Sequence, residues 1–316
     1  MKRINAAKAR SALLGSGEKH GIIKKLLIYF LLIPLGFICL YPILYMFINS
    51  LLSAEDLVDP SVFWVPSSLC FDNYVKAFQT LNFVPSFLTS VFMSVIPALL
   101  QTLATSLTGF GLARFDFKGK KLWIVLVVLT FVVPTAVMEI PQYIMFDQYH
   151  LLKTPFVVFL PALTGQGLKS AIFVLIFYAF FQSYPISFDE AAELDGAGKL
   201  RIYYTIAMPA AKGAIVLCFL FSMVWYWNET DLLSLFSPNI NTLPLALSEF
   251  ATKFTELYPS GPAAASGTGA NAGISSINEA ITLAGTCLSV IPMLVMYLFL
   301  QRQFVESVER SGITGE

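Results

Sequence analysis

Over 316 residues only 13% of side chains are charged while 56% are hydrophobic, and mean hydropathy is +0.71. A soluble domain carries about 25% charged residues, so the balance excludes an ordinary soluble module and makes a membrane the expected solvent. The formal net charge of zero argues against a nucleic-acid partner, because phosphate neutralisation needs a basic excess.

In chain order, residues 1–25 form a basic tail with Lys2, Arg3, Lys8, Arg10, Lys19, Lys24 and Lys25. The apolar run Leu26 to Leu51 exceeds the about 20 residues that a spanning helix needs. It lacks a small-residue cleavage site and is expected to be retained rather than removed as a secretory signal. A second span, Ser86 to Ala113, carries Ser90, Ser94, Thr102 and Thr105, which fit a bundle interior better than lipid. The third, Leu122 to Phe146, is interrupted by Glu139 and by Pro141, the expected point of a break.

The fourth and fifth spans, Ser170 to Pro185 and Gly213 to Asn228, are short; the sixth is Ala280 to Leu300. Residues 229–279 make an outer loop, of which Gly261 to Ser276 is low-complexity Gly, Ala and Ser. The GxG inside it follows no strand and is not a nucleotide site. Residues 301–316 form a second tail. The expected fold class is therefore all-α: a polytopic membrane protein with six transmembrane helices between residues 26 and 300.

Lysine and arginine set the orientation, because they accumulate on the cytoplasmic side. With both termini inside, the inner segments hold 16 of the 20 basic residues, including Arg114, Lys118, Lys120 and Lys121 after the second span and Lys199, Arg201 and Lys212 after the fourth. The outer segments keep Lys76, Lys153, Lys169 and Lys253. Cys39, Cys70, Cys218 and Cys287 are scattered, and His20 and His150 stand alone, so no metal-ligand spacing is present.

The inner loop between the fourth and fifth spans, Ser187 to Lys212, reads as two short helices. Ser187 with Glu190 three residues on predicts a capping box, and Gly196 supplies a left-handed turn where the first helix stops. The second helix is predicted over Leu200 to Ala207, ending towards Pro209. Inside the spans, ionisable and amide side chains are costly and face an interior. Glu139 leads this group, with Gln142 beside it and Gln101 and Asn228 on other helices; these are the expected cargo-pathway residues.

Glu190-Ala191-Ala192, then Asp195-Gly196-Ala197, then, with nine residues between Gly196 and Ile206, Ile206-Ala207-Met208-Pro209, resembles the EAA loop of binding-protein-dependent ABC importer permeases. Phe71-Asp72-Asn73-Tyr74, Ala113-Arg114-Phe115-Asp116-Phe117-Lys118-Gly119-Lys120 and Trp227-Asn228 extend the likeness to the carbohydrate-uptake, maltose-type branch and its smaller six-span subunit. Met208 stands where that branch often has Leu, another apolar residue.

The resemblance implies a coupling helix that docks on a cytoplasmic ATPase, with Glu190, Ala191, Ala192, Asp195, Gly196, Ile206 and Pro209 as its residues. It implies as partners a second permease subunit, two copies of the ATPase subunit and an external sugar-binding protein, in the cytoplasmic membrane of a bacterium. No catalytic residue, metal site or cofactor is expected in this chain. ATP and magnesium belong to the ATPase, since Gly198-Lys199-Leu200 lacks the upstream glycine and the hydroxyl of a Walker A loop.

A non-sugar cargo (polyamine, phosphonate, peptide or metal) uses the same kind of loop and stays open. An ion-driven carrier has no ATPase to grip, and a membrane enzyme would need a cluster of catalytic side chains that the sequence does not offer.

Overall fold

The computed structural model describes residues 15–16, 19–20, 22–62, 64–259 and 279–313. Apart from a two-residue antiparallel ladder, Gly15–Ser16 with Lys19–His20, its regular elements are helical. Three helices are individually long and apolar enough to cross a membrane: α1 (Ile22–Asn49), α3 (Phe83–Arg114) and, at the other end of the chain, Glu279–Ile313. Three further candidate spans are bent pairs, which brings the total to as many as six. The last helix continues through the predicted tail to Ile313, and the Gly/Ala/Ser run lies outside the described residues.

α1 is exposed along most of its length and touches chiefly the last helix. It is tied down beyond its end by α2 (Asp72–Thr80), where buried Asn73 donates to the Ser50 carbonyl at 3.0 Å and the Leu52 carbonyl at 2.8 Å. Tyr74 Oη and Ser50 Oγ share a hydrogen bond of 2.7 Å. The Phe71 to Tyr74 motif thus clamps the entry to the bundle.

α3 is the central post. Its serines and threonines bond back to their own helix, as Thr102 does to the Ala98 carbonyl at 2.7 Å. This satisfies their hydroxyls and leaves a small-residue face for neighbours. The third span breaks at Pro134 and not at Pro141: α4 (Lys120–Val132) ends with Val133 extended (φ −68°, ψ 123°), and α5 (Thr135–Gln148) runs through Pro141. Proline disfavours the helical region for the residue before it, and Val133 is already stiffened by its β-branch.

The predicted fourth and fifth spans correspond to the helices Ser170–Ser183 and Lys212–Trp227, the first preceded and the second followed by a short apolar helix. α6 (Phe156–Leu163) packs on the N-terminal half of α3, with Phe159 against Phe92 at 5.4 Å, and α7 (Ser170–Ser183) packs on its C-terminal half, with Phe181 against Phe110 at 5.4 Å. Residues 164–169 interrupt them. The inner loop follows as α8 (Ser187–Leu194), α9 (Lys199–Ile202), a π-turn (Tyr203–Ala207) and α10 (Met208–Ala210).

α11 (Lys212–Trp227) then rises to the level of the same interruption, and α12 (Asp231–Phe236) continues it outward. There the Phe236 carbonyl accepts from the Lys153 amide at 2.8 Å. α13 (Leu243–Ser248) and α14 (Phe250–Leu257) cap the outer side, and α15 (Glu279–Ile313) closes the bundle.

Candidate functional site

The inner loop leaves the bundle at an angle: α8 turns 75° from α7, and the segment Lys199–Ala210 lies at 80° to α11. The predicted capping box does not form. Ser187 is the first helical residue, Ile186 occupies the cap, and no side chain caps the helix. Pro185 fixes the approach so that the Ile186 carbonyl takes the Asp189 amide at 2.9 Å.

The predicted stop at Gly196 does form. Its φ of +82° closes a Schellman turn, with the Gly196 amide on the Glu193 carbonyl and the Ala197 amide on the Ala192 carbonyl, both at 2.9 Å. Nothing lies within 4 Å of a Cβ at 196, so the conformation, not crowding, is what requires glycine. A Lys199 to Glu193 ion pair bridges the turn. The second helix does not end before Pro209 as predicted. It widens into the π-turn, which shifts the hydrogen-bond register ahead of the proline and carries the helix to Ala210.

Two anchors hold the loop to the bundle. Tyr203, 1% exposed, places its hydroxyl 2.6 Å from Ser106 Oγ on α3, within a cluster of Phe110, Phe173, Phe177 and Phe181. Ala192 and Ala197 pack on the same cluster, and Ile206 beside them. On the other side, buried Asp189 lies with Oδ2 at 3.2 Å from Arg114 Nε. The Arg114 guanidinium donates to the Tyr184 carbonyl and sits 4.9 Å above the Tyr184 ring. Burial lifts the Asp189 carboxyl above its ordinary range, and Arg114 pulls it back without cancelling the rise. The segment around Asp189 holds no cue to this pairing, because Arg114 is 75 residues away in the chain.

The loop exposes several large apolar side chains among charged ones. Ile186, Phe188, Leu194, Leu200 and Tyr204 are exposed, Leu194 by 90%, alongside Glu190, Ala191, Asp195, Gly196 and Pro209.

The expected cargo-pathway residues divide. Gln101 is fully buried and committed: its Nε2 donates to the Leu168 carbonyl at 2.7 Å, and its Oε1 accepts from Tyr226 Oη at 2.6 Å. Tyr226 Oη in turn accepts from the Leu168 amide at 3.2 Å. This network locks α3, the 164–169 interruption and the end of α11 at one level. Asn228, just above it, is exposed, while Glu139 and Gln142 on α5 are half-buried. Glu139 is an electrostatic neighbour of Glu229, which caps the Leu232 amide at 2.9 Å. Glu139, Asn228 and Glu229 therefore sit close to the break in the fifth span, whereas Gln101 serves as a lock.

Gln101→Leu strands the Leu168 carbonyl and the Tyr226 hydroxyl and is expected to cost about 1–3 kcal/mol, read as a lower unfolding temperature of the purified protein. Adding Tyr226→Phe should cost less than the sum of the single changes, because the two share one network.

Residues 105–308, more than half of the chain, match the family described as binding-protein-dependent transport system inner membrane component. The chain is 25% identical over 90% of its length to a probable starch degradation products transport system permease protein of Thermoanaerobacterium thermosulfurigenes, covering 96% of that protein. It is 27% identical over 92% of its length to a polygalacturonan/rhamnogalacturonan transport system permease protein of Bacillus subtilis, covering 98% of it. It is also 29% identical over 89% of its length to a diacetylchitobiose uptake system permease protein of Streptomyces coelicolor, covering 86% of it. Among solved structures, a bacterial ABC transporter involved in the import of the acidic polysaccharide alginate superposes with a TM-score of 0.72 at 23% identity, over 89% of this chain and 96% of that one.

Proposed function

The chain belongs to the family of binding-protein-dependent transport system inner membrane components, and from that premise we propose that it is the six-span permease subunit of an ATP-driven saccharide importer. Its place is the bacterial cytoplasmic membrane, with both termini inside. It works with a second permease subunit, two copies of a cytoplasmic ATPase subunit that hold ATP and magnesium, and an external sugar-binding protein. The saccharide cargo is supported by the names of its relatives, which transport starch products, pectic polymers and diacetylchitobiose.

The observation that carries the coupling role is the exposed apolar surface of Ile186, Phe188, Leu194 and Leu200 on a loop bent away from the bundle. Apolar side chains of this kind suit a docking groove on an ATPase. Glu190 and Asp195, exposed on the same loop, offer charge to a basic partner. When ATP closes the ATPase pair, the loop moves as one piece. Gly196 fixes the angle between its helices, Arg114 and Asp189 pull on α3, and Tyr203 pulls on the aromatic cluster beneath α7. The spans then tilt and open the cargo path to the outside.

The test is cargo-stimulated ATPase activity of the reconstituted complex. Gly196→Pro, which cannot adopt φ +82°, is expected to abolish stimulation while the ATPase subunits still co-purify, and Glu190→Ala to weaken it. Unchanged stimulation in both variants would sink the coupling assignment.

A further inference from the structure

We propose that Lys169 is a cargo-contact residue and that it selects a saccharide bearing a carboxylate, an acidic (uronate-type) oligosaccharide; this deepens the importer reading above and rests on it. The sequence places Lys169 in an outer loop. The structure places it between α6 and α7, at the residue before α7 begins.

Its depth follows from its neighbour. Leu168 is held at both its carbonyl and its amide by Gln101 and Tyr226. Gln101 lies 13 positions (114 − 101) along α3 from Arg114 at the inner end, about 20 Å at 1.5 Å per residue. A hydrocarbon core of about 30 Å therefore still encloses Lys169. A lysine at that depth is costly unless it faces an aqueous cavity or a counter-charge. No described carboxylate forms an ion pair with it.

The lysine is held without being neutralised. Its ammonium lies 4.7 Å from the centroid of the Trp225 ring, and Trp225 is itself braced by Phe173 at 5.1 Å and Phe221 at 6.0 Å. An aromatic face positions a cation but leaves its three donors free for an anion. The backbone at Lys169 is left-handed, with φ +52°, a conformation that favours glycine or asparagine. The Gln101 lock on Leu168 keeps this conformation in place, and residues held in such regions cluster at ligand and active sites.

The chemistry of the surrounding level fits one class of cargo. Asn228, Glu229, Glu139 and Gln142 supply acceptors for sugar hydroxyls near the parallel break in the fifth span. A neutral sugar needs nothing more. Lys169 adds a fixed positive charge with no acceptor capacity, and a charge-assisted bond to a carboxylate is the interaction it makes best. Spans that break at a shared level are also where carriers place their cargo.

The experiment reconstitutes the complete complex with its binding protein. It compares ATPase stimulation by tetragalacturonate with that by its carboxyl-reduced, neutral counterpart. The native complex should prefer the acidic probe. Lys169→Gln should lower the acidic-to-neutral ratio by about tenfold or more, the weight of one charge-assisted bond, and Lys169→Arg should keep most of the preference. Unfolding temperature and co-purification of the partner permease serve as controls.

If neither probe stimulates the native complex, the carboxylate inference is overturned; a maltooligosaccharide run beside them separates the two readings, since stimulation by it leaves the saccharide reading standing. Stimulation by the neutral probe alone leaves that reading standing and overturns the carboxylate. An unchanged ratio in Lys169→Gln, or equal loss on both probes, overturns the role of the lysine. So does release of the partner permease by that variant, which would assign Lys169 to a carboxylate across the interface.

Discussion

Arg114→Met is expected to destabilise the folded permease by about 3–5 kcal/mol, the cost of leaving a buried charge without its partner. The target is Asp189, whose side chain is 7% exposed, and whose Oδ1 has no hydrogen-bond partner among the described residues even in the native chain. Arg114 Nε lies within ion-pair distance of Oδ2 without being aligned for a hydrogen bond, so the pair is held by charge more than by geometry. Such a pair stabilises little in itself while being expensive to break. The double change Arg114→Met with Asp189→Leu is accordingly expected to recover most of the loss.

The pH dependence has a definite sign. Burial already raises the Asp189 carboxyl, so the protonated form is the better tolerated. That advantage is fully present below the unfolded pKa and is lost as pH rises through the folded one. Removing Arg114 enlarges the rise, and the stability gap between native and variant protein should narrow as pH falls. Thermal unfolding of the purified complex across an acid-to-neutral series checks this. An equal gap at every pH would mean that Arg114 acts through packing on Tyr184 alone.

The same substitution bears on transport, because Arg114 joins the inner end of α3 to the first helix of the loop. The double variant restores stability without restoring the strut. It should therefore fold and assemble, yet respond to cargo more weakly than the native chain.

The sequence made the long apolar helices and the inner loop legible for plain physical reasons. Twenty apolar residues have few alternatives to a spanning helix, and the glycine at 196 has a local cause that one chain segment contains. The broken helices were not legible. α6 is eight residues of PAL-like apolar character after a Thr-Pro step, indistinguishable by itself from a loop that dips towards lipid. Its role depends on Phe92, Met93 and Ala98, more than 55 positions earlier.

The break at Pro134 was expected at Pro141 for a related reason. A proline inside a helix and a proline after a stiff valine look alike until the backbone is seen. The Asn73 and Arg114 motifs carried resemblance but no visible task, since their partners, Ser50 and Leu52 in one case and Asp189 and Tyr184 in the other, are remote in sequence.

Gly109→Leu is expected to remove the folded chain altogether, a loss of about 3 kcal/mol or more at the upper end of overpacking costs. A Cβ at 109 would stand 2.6 Å from Phe177 Cβ and 2.9 Å from the Tyr178 amide nitrogen. The obstacle is the body of α7, not the tip of a side chain, so relief requires the two helices to separate. Separation would open the Phe110, Phe177, Phe181 and Tyr203 cluster, and with it the anchor of the inner loop.

Alanine isolates the cause. Gly109→Ala adds that single clashing carbon and should already cost about 1–3 kcal/mol. Gly111→Ala, two residues on, meets only Phe115 Cδ2 at 3.8 Å and should be neutral or stabilising by up to about 1 kcal/mol through helix propensity. Opposite signs for the same chemical change, measured as unfolding temperatures of the two variants, would place the closest approach of the bundle at Gly109. Equal, small effects would mean that α7 does not lie against α3 there.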